Sequence, residues 1–245
     1  MTSLRSLIIG LGACLLASSG LAAGPLDGKL AGWTGPGAPP HMDDVWNLVH
    51  GPTHPPGRRG TPPPLNEEAA ARLKAHMAQP GHTTQTANCV PPGMPQVMDV
   101  PYPIEILFAP GKIVIEEEGY MQVRHVHADG RPHPADPDLT FNGDSISHWE
   151  GDTLVVDTVA LVPEAELAEG VGHGDKTHIV ERFRLISPDL MDVQTTVTDP
   201  AVLTKPWVYD THFERRHDWD IQEYVCQQNN HEYVDPSGKL GVKIQ

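Results

Sequence analysis

Residues 176–198 read KTHIVERFRLISPDLMDVQTTVT. On either side of Ser187-Pro188-Asp189, a turn signal, apolar and polar residues alternate with period two. That is the pattern of two β-strands joined as a hairpin. Ile179, Glu181, Phe183 and Leu185 share one face of the first strand, and His178, Val180, Arg182 and Arg184 share the other. The first row is apolar except for one carboxylate.

The same texture runs outward in both directions. YPIEILF and KIVIEEE flank Ala109-Pro110-Gly111, and YMQVRHVHA ends at DGRPHPADPD, a loop enforced by Pro and Asp. DSISHW and DTLVVDTVAL flank Glu150-Gly151, and WVYDTHFERRH follows the loop DPAVLTKP. Eight strands in sequential hairpins result, with no helix-length crossover between them, so an antiparallel sheet is expected. Eight such strands suit a closed barrel wide enough for one small ligand. A two-sheet sandwich is the competing architecture.

Upstream, residues 24–64 are crowded with Pro and Gly and read as a wrapping arm, unable to supply a helix or a central strand. PLNEEAAARLKAHMAQ follows. Asn66 is placed to cap a helix over about 66–78, with Glu67 and Glu68 in its first turn. The expected layout is a leader over 1–23, the arm over 24–64, a helix and loop over 65–100, the barrel over 101–217 and a C-terminal segment over 218–245.

The leader rests on MTSLRSLIIGLGACLLASSGLAAG, in which one basic residue, Arg5, precedes an apolar run ending in small residues. This is a secretory signal pattern with cleavage after Ala22 or Ala23, and it predicts a periplasmic or secreted protein. Leu11 to Cys14 also fits a lipoprotein cleavage box. Export leaves Cys89 and Cys226, for which a disulfide is expected. The formal charge of −15 argues against nucleic acid or anionic lipid as partner. No segment after the leader suits stable membrane insertion.

Several stretches together resemble a large family of exported, largely uncharacterised bacterial proteins. They are CVPPG, YPIEI with APGKIVI, QVR, DGRPHP, WEGDTLVVDT, VERFR, TKPW and EYVC. They lie in a fixed order between Cys89 and Cys226. The resemblance implies a lipocalin-like, calycin-type barrel and no particular reaction. Two departures are FNGDSIS, where a Trp-Met-Gly-His-Ser type stretch is common, and His127, where an aromatic residue is common.

Two candidate sites compete. His125 and His127 share a strand face and open a cupin-like metal motif, with His133 as a third ligand for Fe, Mn or Zn. The Glu that should follow is missing, since positions 131 and 132 are Arg and Pro. Strand parity opposes Arg124 to both histidines. The resemblance holds Arg124 more firmly, which turns Arg124 inward and the imidazoles outward. The other site is therefore a lumen group of Arg124 and Glu181, either a structural pair or a pair gripping a small molecule without any cofactor. His148 and His178 are candidates to join it, as are Asp210 and His212 if the polar face of WVYDTHFERR points in. GVGHGDKTH reads as a mobile rim loop carrying His173. The chain has no Gly-x-Ser-x-Gly elbow, phosphate loop or dinucleotide fingerprint. The expected function is small-molecule binding, with acid/base catalysis of the lyase, isomerase or dehydratase type on the same site. The alternatives are the metalloprotein and a periplasmic interaction module that docks through its Pro-rich arm.

Overall fold

The computed structural model describes residues 40–49, 61–82, 84–229, 231–234 and 240–243; the leader, Cys14 and most of the Pro-rich arm lie outside them. Eleven strands lead up to the C-terminal segment: β1 (Asp44–Leu48), β2 (Ile104–Ala109), β3 (Lys112–Glu117), β4 (Gln122–His127), β5 (Asp144–Glu150), β6 (Thr153–Val159), β7 (Glu166–Ala168), β8 (Val171–Gly172), β9 (His178–Ser187), β10 (Leu190–Thr198) and β11 (Trp207–Arg215). Among the described residues, nine of these close a barrel in the order β1-β11-β10-β9-β6-β5-β4-β3-β2. β7 and β8 pair separately, as do β12 (His231–Val234) and β13 (Leu240–Lys243). No helix among the described residues is long and apolar enough to cross a membrane.

The eight strands expected from alternation are all present. The ninth, β1, comes from the stretch expected to be only an arm. Residues 41–50, HMDDVWNLVH, form a window free of Pro and Gly, and β1 sits inside it. Its Trp46 lies opposite Arg215 of β11 on one side and Ile104 of β2 on the other. The indole is fully buried, donates its N–H to Met42 O at 2.8 Å and lies 4.4 Å beneath the Arg215 guanidinium. A short strand with one large apolar anchor thus closes the cylinder.

Nine strands also correct the expectation of a purely antiparallel sheet. A closed ring with an odd number of strands cannot alternate direction all the way round, so one neighbouring pair must be parallel. That pair is β4 and β5, with Val126 opposite Ser145 and His127 opposite Ile146. The overlap is short, so the 128–143 loop makes the crossover without a helix.

The two ends of the barrel differ. At one, tight turns join β2 to β3, β5 to β6 and β9 to β10. Three long connections, residues 49–103, 160–177 and 199–206, fall at the other, and 128–143 runs from one end to the other. They include α1 (Glu67–Met77), whose Asn66 cap accepts from Ala69 N at 2.9 Å as expected. Met94, Val97, Leu167, Val171 and Val202 from these connections are buried and extend the core over that end. The Cys89–Cys226 bridge is present, with a Cα–Cα distance of 5.7 Å, and ties the segment before β2 to the short α2 (Cys226–Asn229).

The loop expected to be a mobile rim is instead pinned. The buried Asp199 accepts from Gly174 N at 2.9 Å, from Thr177 Oγ1 at 2.7 Å and from Ala201 N at 3.0 Å. Although burial works against it, His173 and these donors hold its carboxyl well below the usual range. His173 is itself buried, with its Nε2 donating to Met94 O at 2.9 Å.

Candidate functional site

Period-two alternation turns at least one polar side chain inward on each of six neighbouring strands. They are Glu117 on β3, Arg124 on β4, Ser145 on β5, Thr158 on β6, Glu181 on β9 and Thr195 on β10. The registers place Ser145 opposite Thr158 and Glu181 opposite Thr195. These groups form a polar belt towards the end that carries most of the long connections; Ser147 on β5 and Thr211 on β11 also turn hydroxyls inward.

Arg124 is the hub. Its Nη2 donates to Glu181 Oε2 at 2.5 Å and to Thr158 Oγ1 at 2.8 Å, and its Nε donates to Ser145 Oγ at 3.3 Å. The Ser145 and Thr158 hydroxyls lie 2.9 Å apart. Arg124 is 1% exposed and Glu181 0%. Burial this complete makes the pair weak evidence for stability, because desolvating two charges offsets much of their attraction.

The valences are not filled. Arg124 Nη1, Glu181 Oε1 and both carboxyl oxygens of Glu117 are buried without a hydrogen-bond partner. Glu117 is fully buried. Burial pushes its carboxyl up to about 8, Arg124 pulls it down and Glu181 adds to the rise. Loss of hydration outweighs the nearby guanidinium, which is already engaged with Glu181. At neutral pH this acid therefore holds a proton.

Glu117 is not among the residues expected at the site. Its signal is the row Ile113, Ile115, Glu117 in KIVIEEE, a row of the same kind as the one that isolates Glu181 on β9. Three consecutive glutamates, 116–118, obscure the fact that only the middle one falls on the inward phase. Ser145, Thr158 and Thr195 were missed because a hydroxyl in a strand carries no signal until its neighbours are known.

The other candidates stand on the outer wall, and this corrects their placement in the lumen. Trp149 points inward, so His148 points out, where it meets Glu150 at 3.2 Å. His178 lies on the face opposite Glu181 and meets Asp157 at 2.7 Å. On β11 the aromatic row Trp207, Tyr209 and Phe213 is buried. Asp210 and His212 therefore face out, towards Gln194 at 3.2 Å and Asp192 at 3.0 Å. The row of Trp207, Tyr209, Thr211 and Phe213 is the inner one because only that choice removes three aromatic rings from water.

The three imidazoles of the metal alternative are not gathered. His125 is exposed on the outer wall. His127 is half-buried, and burial together with the Arg131 guanidinium beside it holds its imidazole below the usual range. His133 Nδ1 lies 2.6 Å from Asp144 and its Nε2 lies 3.1 Å from Asp157. Arg131 also holds Asp144, at 2.6 Å, so the DGRPHP loop is stapled across the β4–β5 seam. Among the described residues, no group of three or more His, Cys, Asp or Glu side chains is arranged to hold a metal ion.

The sequence matches no protein-family model, and no curated protein matches it.

Proposed function

We propose that the chain is an exported barrel protein that holds a small, partly apolar molecule through Glu117, Arg124 and Glu181. The observation that carries this reading is the set of four polar atoms without partners on three fully buried side chains. Each such group represents about 1–3 kcal/mol of unrecovered desolvation, which a guest with matching donors and acceptors would recover. The surrounding rows of Ile, Val and Phe suit an apolar body. The signal pattern and the disulfide support export.

A second reading rests on one specific observation. Glu117 keeps a proton at neutral pH beside Glu181, a carboxylate engaged by Arg124. Two carboxyl groups in one site with different protonation provide an acid and a base, the arrangement that a cofactor-free lyase, isomerase or dehydratase needs. On this reading the bound molecule is also turned over.

Native mass spectrometry of protein isolated from the periplasm, followed by thermal-shift screening, tests both readings. Wild type should retain or bind a small molecule. Glu181→Gln should weaken binding by about tenfold or more while its far-UV circular dichroism stays unchanged. Equal binding by a folded Glu181→Gln variant would remove this residue from the site.

A further inference from the structure

We infer that the guest of this interior site is a primary ammonium group on a small apolar body, taken up in exchange for the proton on Glu117. The inference rests on the small-molecule reading above and adds the ligand's chemistry.

Charge points this way first. The belt holds two carboxyl groups, Glu117 and Glu181, and one guanidinium, Arg124, already bonded to Glu181. With both acids ionised, the group carries one uncompensated negative charge in a fully buried place. Buried charges are ordinarily paired. An anionic guest would be a third acid around one guanidinium, and a neutral alcohol would engage only the protonated, uncharged form of Glu117. A cation balances the form in which both acids are ionised.

Hydrogen-bonding capacity points the same way. The free acceptors are three carboxyl oxygens, two on Glu117 and one on Glu181. An ammonium group has three N–H donors and no acceptor. The one free donor, Arg124 Nη1, remains for a carbonyl or hydroxyl elsewhere on the guest. Around these atoms the walls are apolar: Ile104 lies opposite Glu117, Ile115 opposite Arg124, and Ile179 and Phe183 flank Glu181 on its own row. The chain's formal charge of −15 also favours the approach of a cation over an anion.

The exchange balances without any redox partner. In the unliganded site at neutral pH, Glu117 is a neutral acid, since burial raises its carboxyl to about 8. When the ammonium enters, the Glu117 O–H bond breaks and its proton goes to solvent. The carboxylate that remains pairs with the guest's N–H groups, and the guest keeps its own protons. The charged groups acting on Glu117 are Arg124 of β4 and Glu181 of β9; its β2 neighbour, Ile104, is uncharged.

The test is isothermal titration of the full mature chain with n-butylamine, n-butanol and butyrate, in two buffers of different ionisation enthalpy. Butylamine should bind tightest. It should release about one proton per site at pH 6.5 and none at pH 9, with affinity rising about tenfold per pH unit until about pH 8. Glu117→Gln should abolish the proton release and the pH slope, and weaken butylamine by about tenfold or more. Butanol or butyrate binding as tightly as butylamine would overturn the ammonium assignment and leave the small-molecule site standing. Amine binding without proton release would overturn the role of Glu117. If none of the three binds while the broader screen finds another ligand, only this inference fails; if both fail, the site reading falls with it. Should Glu117→Gln not fold, the two-buffer comparison on wild type decides.

Discussion

Glu117 makes stability depend on pH in a direction opposite to that of a salt-bridged acid. In the folded barrel its carboxyl keeps its proton up to about 8, against a reference value of 4.5. Between those values the native state binds more protons than the unfolded state, so stability falls as pH rises, by about 1.4 kcal/mol per unit. The contribution is present in full below 4.5 and gone above 8. Asp199 has the opposite sign, because its lowered carboxyl contributes stability at neutral pH and loses it only in strong acid. Urea unfolding at pH 5 and pH 8 should show a decline in wild type that Glu117→Gln lacks. Parallel profiles for the two proteins would mean that Glu117 does not titrate from a buried place. The residue was legible as one member of an alternating row, but its isolation from solvent and its nearness to Arg124 were not, since these depend on β4 and β9 closing around it.

Among the elements, β1 has most to explain with fewest residues. Five residues seal the gap between β11 and β2, and Trp46 supplies the anchor. Trp46→Ala should cost about 3–5 kcal/mol in equilibrium denaturation, the usual range for removing a fully buried large aromatic side chain. A loss under 1 kcal/mol would mean that the barrel stands without β1. The strand escaped the sequence reading because its surroundings are rich in Pro and Gly and its partners lie about 60 and 170 residues away in the chain. The eight others each have a partner nearby, and turn residues mark most of their boundaries. The staple of Arg131, His133, Asp144 and Asp157 belongs to this scale too. Its residues were visible singly, and what they fasten, the parallel seam, is located only by the strand pairing of the closed barrel.

For the molecule as a whole, the bridge between Cys89 and Cys226 spans 137 residues of sequence and encloses every barrel strand except β1. Chain-entropy reasoning gives a loop of that size up to about 5 kcal/mol, with measured values more often 2–4. Thermal melts with and without reductant should therefore differ by several degrees or more, with the reduced protein melting lower. Superimposable curves would show that the covering segments are held by packing alone. Three of the four long connections lie at one end, over the polar belt, while the fourth, 128–143, runs from the other end along the β4–β5 seam.

What the amino-acid sequence determined unaided were the local periodicities: which side chains share a strand face, where turns break the strands and where Asn66 starts a helix. Alternating Cβ directions and turn conformations act over a few residues, so a short window contains them. Which face became the inside was decided only by closure. Asp210 and His212 went to solvent because Trp207, Tyr209 and Phe213 had to leave it. Arg124 met Glu181, 57 residues away, because six neighbouring strands brought their polar residues to one level. Such contacts join distant parts of the chain, and their energy exists only once the cylinder has shut out water.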